Sequence, residues 1–210
     1  MTRFFLVRHG ETEWNRVHRI QGSSDIPLND TGRRQAQMVG GVLSRHRFDL
    51  IVSSPLSRAL ETATIVARRL QMPLPLPVQS LVERAYGEAE GATRSELDEK
   101  FPGDTPVPGR EPREDAQHRV VRALGDLAIR HPHADIIVVT HGGVIRSVVD
   151  YAEPGVHTAM IRNCSVHSFE HSTKGLRLVQ FDDPMELRAS HVGTDGFIQQ
   201  NPDEARERAS

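Results

Sequence analysis

The stretch RFFLVRHGETEWN, residues 3–15, holds an unbroken apolar run from Phe4 to Val7. It then stops on Arg8, His9 and Gly10, with acidic and amide residues directly behind. A continuous run of aromatic and branched residues, rather than an alternating one, is the pattern of a strand covered on both faces. Such a strand ending on a cation beside an imidazole delivers both groups to one place at its carboxyl end. The same grammar returns in ADIIVVTHGG, residues 134–143. There an apolar run meets His141, then Gly142 and Gly143, and the helix-like VIRSVVDYA follows.

Between these two strands the chain alternates. In LNDTGRRQAQMVGGVLSRHR, Asn29 or Thr31 can cap a helix whose apolar face is Met38, Val39, Val42 and Leu43. FDLIVSS reads as a second strand, and SRALETATIVARRLQ returns to helical spacing through Leu60, Ala63, Ala67 and Leu70. A proline-spaced segment, MPLPLPVQSLVE, leads to a stretch rich in glycine and acid, and PGDTPVPGREP is the most loop-like part of the interior. Arg113 to Arg130 carries a helix face of Val120, Val121, Leu124, Leu127 and Ala128, and CSVHSFEHS with LRLVQFDD alternates like a hairpin around Thr173 to Gly175. Strands alternating with helices predict an α/β sandwich with a largely parallel sheet.

Length and charge bound the function. At 210 residues the chain fits one domain, expected over 1–183, with a polar, loosely held tail over 184–210. Its 26 basic and 28 acidic residues give a formal net charge of −2, so no global field draws it to nucleic acid or an anionic membrane. Cys164 is the single cysteine, which excludes an internal disulfide framework and a cysteine-based zinc cage. The opening apolar run is too brief for a signal or spanning segment, so the expected setting is the cytoplasm. Of the 11 histidines, the HPH at 131–133 and the pair His167 and His171 cluster most closely, without companion ligands for a metal.

Open α/β sheets bind ligands beyond the carboxyl ends of their strands. Ser53 and Ser54 with Arg58, and Glu83 further on, follow apolar segments much as His9 and His141 do. If these ends meet, one crevice holds two imidazoles, two guanidiniums and a carboxylate, a set suited to a phosphoryl group. Arg8 and Arg58 offer planar donor forks to its oxygens, and their positive field keeps His9 neutral and nucleophilic. His9 can then attack phosphorus in line, His141 can donate to a nonbridging oxygen, and Glu83 can protonate the leaving alkoxide and later activate water. That last role holds only if burial or the phosphate charge keeps Glu83 protonated. The arginines supply the charge, so no metal or other cofactor is required. Taken singly, each residue also has a plain reading: a turn with a satisfied histidine, a surface arginine, a solvated acid beside Arg84. Only the joint arrangement carries the chemistry.

That arrangement resembles the histidine phosphatase superfamily, the phosphoglycerate mutase-like family. The likeness rests on LVRHGETEWN at 6–15, QGSSDIPLNDTGRRQA at 21–36, SSPLSRALETA at 53–63, LVERAYGEAEG at 81–91, VVTHGGVIR at 138–146 and NCS at 163–165. The resemblance implies a three-layer α/β/α fold and a phosphohistidine mechanism. Arg8, His9, Arg58 and His141 match the phosphate pocket, with His9 as nucleophile and Glu83 as proton donor. Asn15 matches a phosphate or substrate contact, the backbone at Gly22 and Ser23 lies where family members touch substrate, and Ser165 is a weaker correspondence.

Two departures stand out. Ala89 replaces a frequent tryptophan in GEAEG, which suggests a different pocket mouth, and PGREPRED replaces a frequent GGES. Arg110 falls in that second segment and reads as a solvated loop arginine, with recognition of a second anionic group as the alternative. The short segment between Gly91 and Glu111, with Arg94, Lys100 and Arg110, favours hydrolysis of a small phosphomonoester over mutase-type transfer, which needs a larger basic cap. A noncatalytic phosphate-binding domain would lack one of the core residues, and none is missing. The hairpin and an exposed sheet edge can support a homodimer.

Overall fold

The computed structural model describes residues 1–183, so the expected tail from Pro184 lies outside the described residues. Six strands form one sheet: β1 (Thr2–Arg8), β2 (Leu50–Ser53), β3 (Leu76–Pro77), β4 (Asp135–Thr140), β5 (Val166–Ser172) and β6 (Gly175–Gln180). Their spatial order is β3-β2-β4-β1-β5-β6. The first four strands in that order are parallel, and β5 and β6 add an antiparallel hairpin at the β1 side. The helices are α1 (Glu13–Arg16), α2 (Asp30–Leu43), α3 (Ser57–Leu70), α4 (Arg94–Lys100), α5 (Arg113–Arg130) and α6 (Gly142–Ala152).

The continuous apolar strands split by alternation onto two cores. Phe4, Leu6, Val52, Ile136 and Val138 pack against α5 and α6, while Phe5, Val7, Ile51, Ile137 and Val139 pack against α2 and α3. This is the expected three-layer sandwich. A third, smaller cluster of Ile20, Tyr86, Ala89, Leu97, Phe101 and Val107 lies among the loops.

The helix faces differ in detail from the spacing argument. In α2 the buried residues are Gly32, Ala36, Val39, Gly40 and Leu43, while Met38 is 43% exposed. In α3 they include Ala59, Ala63, Val66 and Ala67, with Leu60 and Leu70 only half-buried. A Cβ on Gly40 would come within 3.1 Å of Arg69 Cβ, so the two helices approach along small residues rather than large ones. Val121 of α5 is half-buried beside the fully buried Val120 and Leu124.

Three short elements come from segments to which the spacing argument assigned neither helix nor strand. Thr12 and Asn15 form a capping box that starts α1, and Thr93 and Glu96 form another that starts α4. The two-residue β3 contains Pro77 and sits at the sheet edge, where a missing N–H is tolerated.

Register places the chemistry. β1 and β4 pair with Arg8 opposite Thr140, so the next residues, His9 and His141, leave the sheet side by side. The His9 amide donates to the Thr140 carbonyl at 2.9 Å and holds that exit in place. One strand over, Ser53 pairs with Val139, and the Ser54 amide donates to the Val139 carbonyl at 3.0 Å, bringing Ser54 to the same end.

Candidate active site

The floor of the site is the strand end just described. The His9 and His141 rings lie edge to face with centroids 5.2 Å apart, and both are buried. His9 Nδ1 is 2.7 Å from the Gly10 carbonyl, an acceptor, so the proton sits on Nδ1 and the lone pair on Nε2. Gly10 is required here, because a Cβ at that position would run into the Gly32 carbonyl at the start of α2. Burial first, then the charges of Arg58 and Arg8, hold His9 well below the usual imidazole range. Desolvation therefore outranks the cationic field that the sequence reading put first. His141 is held low in the same way, by burial and then Arg58.

The two guanidiniums approach from different elements. Arg8 ends β1, is 4% exposed, and donates through Nη1 to the Ile161 carbonyl at 3.0 Å. Arg58, in the first turn of α3, is fully buried, and burial pushes it down to about 10. Its Nη1 and Nη2 donate to the Ser24 and Gly22 carbonyls at 2.8 and 2.7 Å. The surface-arginine reading of Arg58 is thereby replaced by one in which it joins α3 to the 22–24 loop.

Glu83 is buried at the N-terminal end of α6. Its Oε1 accepts the Arg84 and Val144 amides at 2.9 and 3.1 Å, and its Oε2 accepts the Gly143 amide at 3.0 Å. Donors of this kind favour a carboxylate, so of the two conditions for an acid role, burial alone does not meet the need. Arg119 of α5 fixes the backbone beneath, donating to the Ser80, Val82 and Glu83 carbonyls and pairing with Glu111.

The roof is the 22–24 loop with the 86–110 segment. Glu90 accepts the amides and hydroxyls of both Ser23 and Ser24, and also the Tyr86 amide. Burial pushes the Glu90 carboxyl up, but those donors outweigh it and leave it below the ordinary carboxylate range. Asp25 accepts the amide and hydroxyl of Ser57 at 2.7 Å and so caps α3 from outside. Both backbone groups expected to meet substrate thus have partners within the protein: the Ser23 amide on Glu90 and the Gly22 carbonyl on Arg58. Asn15 sits at the edge, accepting from the Thr12 amide at 3.2 Å and from Asn163 Nδ2 at 3.3 Å. Asn163 also donates to the His9 carbonyl at 2.9 Å, while Ser165, two residues on, faces His167 Nε2 at 2.9 Å.

The departures noted in the sequence resolve structurally. Ala89 is fully buried in the small loop cluster rather than at an open mouth. Arg110 is half-buried, its Nε and Nη2 are inaccessible, and its backbone bridges Tyr86, so it is not the solvated loop arginine expected. Arg94 pairs with Asp98 and Lys100 with Glu88. Among the described residues no group of three His, Cys, Asp or Glu side chains is placed to hold a metal, and no helix is long and apolar enough to cross a membrane. Both ring nitrogens of His167 have partners, with the Asp182 amide donating to Nδ1 at 3.0 Å and Ser165 facing Nε2.

The model of the histidine phosphatase superfamily (branch 1) matches residues 4–184. The chain belongs to the histidine phosphatase superfamily. Within it, the chain is 33% identical over 185 residues to the uncharacterized phosphatase PhoE of Bacillus subtilis, covering 87% of this chain and 95% of that one. It is 27% identical to a 2,3-bisphosphoglycerate-dependent phosphoglycerate mutase of Cytophaga hutchinsonii, over 88% and 90% of the two chains. Among solved structures, an Entamoeba histolytica phosphoserine phosphatase variant in complex with phosphoserine superposes with a TM-score of 0.76 at 29% identity. That match covers 89% of this chain and all of the other chain. Sequence reading missed Glu90, Arg119 and the loop side of Arg58. Only Glu90 left a trace, as a second acid seven residues past Glu83 in the same short motif.

Proposed function

We propose that this member of the superfamily hydrolyses a small phosphomonoester through a phosphohistidine on His9, without a metal. The observation that carries the reading is the His9 ring itself, with Nδ1 committed to Gly10, Nε2 holding the lone pair, and a buried setting that keeps it neutral. A neutral Nε2 attacks phosphorus, the P–O bond to the leaving group breaks, and Glu83 gives that oxygen its proton. Arg8, Arg58 and His141 hold the charge on the three equatorial oxygens. Water, deprotonated by the Glu83 carboxylate, then attacks the phosphohistidine and releases phosphate and free imidazole.

Hydrolysis is favoured over mutase-type transfer by the cap. Two of its basic residues, Arg94 and Lys100, are paired with the acids Asp98 and Glu88, which leaves them poorly suited to hold a second phosphate. The test is a phosphate-release screen over sugar phosphates, phosphoglycerates, nucleotide-derived monoesters and phosphoserine, with a mutase assay in parallel. Phosphate release from at least one monoester without isomer formation supports the proposal. Isomer formation outpacing release would replace it with the mutase reading.

A further inference from the structure

The two imidazoles of the site have their protons placed by different partners. His9 is fixed by a backbone carbonyl, whereas His141 Nε2 lies 2.8 Å from the hydroxyl of Ser54. His141 Nδ1 is inaccessible and has no hydrogen-bond partner among the described residues. Ser54 is itself fully buried, and its Oγ already accepts the Leu56 amide at 3.3 Å. The hydroxyl has one proton to place, and in a buried position that proton needs an acceptor. Among the described residues His141 Nε2 is the acceptor within reach. Were Nε2 protonated, the imidazole N–H and the Ser54 O–H would compete for one contact and a buried hydroxyl proton would be stranded.

We propose that Ser54 is a positioning residue that holds His141 as the Nδ1–H tautomer, leaving that N–H as the ring's single donor for a phosphoryl oxygen. The step from tautomer to catalysis rests on the phosphohistidine reading, but the tautomer itself does not. The sheet explains why the contact forms: β2 and β4 are neighbours, so the residue after Ser53 and the residue after Thr140 emerge together. A neutral ring is needed for the device to work, and the burial of His141 supplies it. Ser54 touches neither substrate nor the reacting atoms on this account. It acts through the ring.

The direct test is nitrogen-15 NMR of the histidine rings in the free, full-length protein near neutral pH, comparing wild type with Ser54→Ala and Ser54→Cys. Wild type should show His141 protonated at Nδ1, the alanine variant a mixture or reversal of tautomers, and the cysteine variant, nearly isosteric with a weaker donor, an intermediate state. With a monoester found active in the screen, kcat/KM should fall about 10- to 100-fold in the alanine variant, the scale of one buried unsatisfied contact. An Nε2–H form in wild type would overturn the proposal even if the alanine variant failed to fold, as would an unchanged Nδ1–H form in a folded alanine variant. Since the ring is read without substrate, an Nδ1–H form lost in Ser54→Ala, in a protein that hydrolyses nothing, would sink the phosphatase reading and leave the tautomer assignment standing.

Discussion

The floor and the roof of the site are held by different forces. His9 and His141 are placed by backbone pairing of β1 with β4, and the apolar residues behind them, Val7 and Val139, are fully buried. The 22–24 loop, by contrast, is held by side chains reaching for backbone: Glu90 for amides and hydroxyls on one side, Arg58 for carbonyls on the other. A floor fixed by register shifts only if a strand slips. A roof fixed by a few polar contacts is undone by one substitution, and that difference orders the expected effects.

Among substitutions that leave the His9 nucleophile in place, the largest effect falls on the acid. Glu83→Gln should slow alkyl phosphates by about 10²- to 10⁴-fold, the usual scale of general acid catalysis, and nitrophenyl phosphate far less, since a good leaving group needs little protonation. Equal loss on both substrates in steady-state assays would remove Glu83 from that role. Arg58→Ala follows, with a loss of about 10²- to 10³-fold in kcat, the scale of one transition-state donor. Arg58→Lys should restore little, because a single ammonium cannot serve two carbonyls and a phosphoryl group together. Glu90→Gln probes the roof alone and should raise KM about tenfold while the phosphoenzyme still forms, since it removes charge from contacts to Ser23 and Ser24 without touching the floor. If kcat fell and KM did not, the two regions would be coupled more tightly than the contacts imply.

The mildest effect is on stability. His9, His141 and His167 are all held below the ordinary imidazole value of 6.5, His167 at about 3, with burial the first cause in each. As pH falls below about 6.5 the unfolded chain binds more protons at these sites than the folded one, so their contribution to stability is full above about pH 6.5 and falls as pH drops. The limiting slope is about 1.4 kcal/mol per pH unit for each such histidine. His167→Asn should remove one histidine's share of the slope between about pH 6.5 and 5, read by denaturant titration, while leaving turnover near wild type.

What the sequence discloses follows the same division. RFFLVRHG and ADIIVVTHGG could be read because burial on both faces writes itself as a continuous apolar run, and a strand end needs no long-range information. That the two ends lie side by side needed only the rule that strand carboxyl ends share a crevice. The helix faces were rotated in the reading because Ala36, Gly40 and Ala63 carry no hydrophobic signal yet mark the line where α2 meets α3. The polar supports above and beneath the site were hidden for another reason. Glu90, Asp25 and Arg119 bond to backbone atoms, and a backbone partner leaves no mark on which residue supplies it. Thr93 and Glu96 are the exception, a capping signature present in the sequence within the stretch rich in glycine and acid.

The most direct measurement is rapid-quench trapping of the enzyme with a labelled monoester, followed by phosphopeptide mapping. The account predicts one acid-labile, base-stable phosphoryl group, located on His9 and gone in His9→Ala together with turnover. A labelled group on any other residue, or undiminished labelling in His9→Ala, would contradict it.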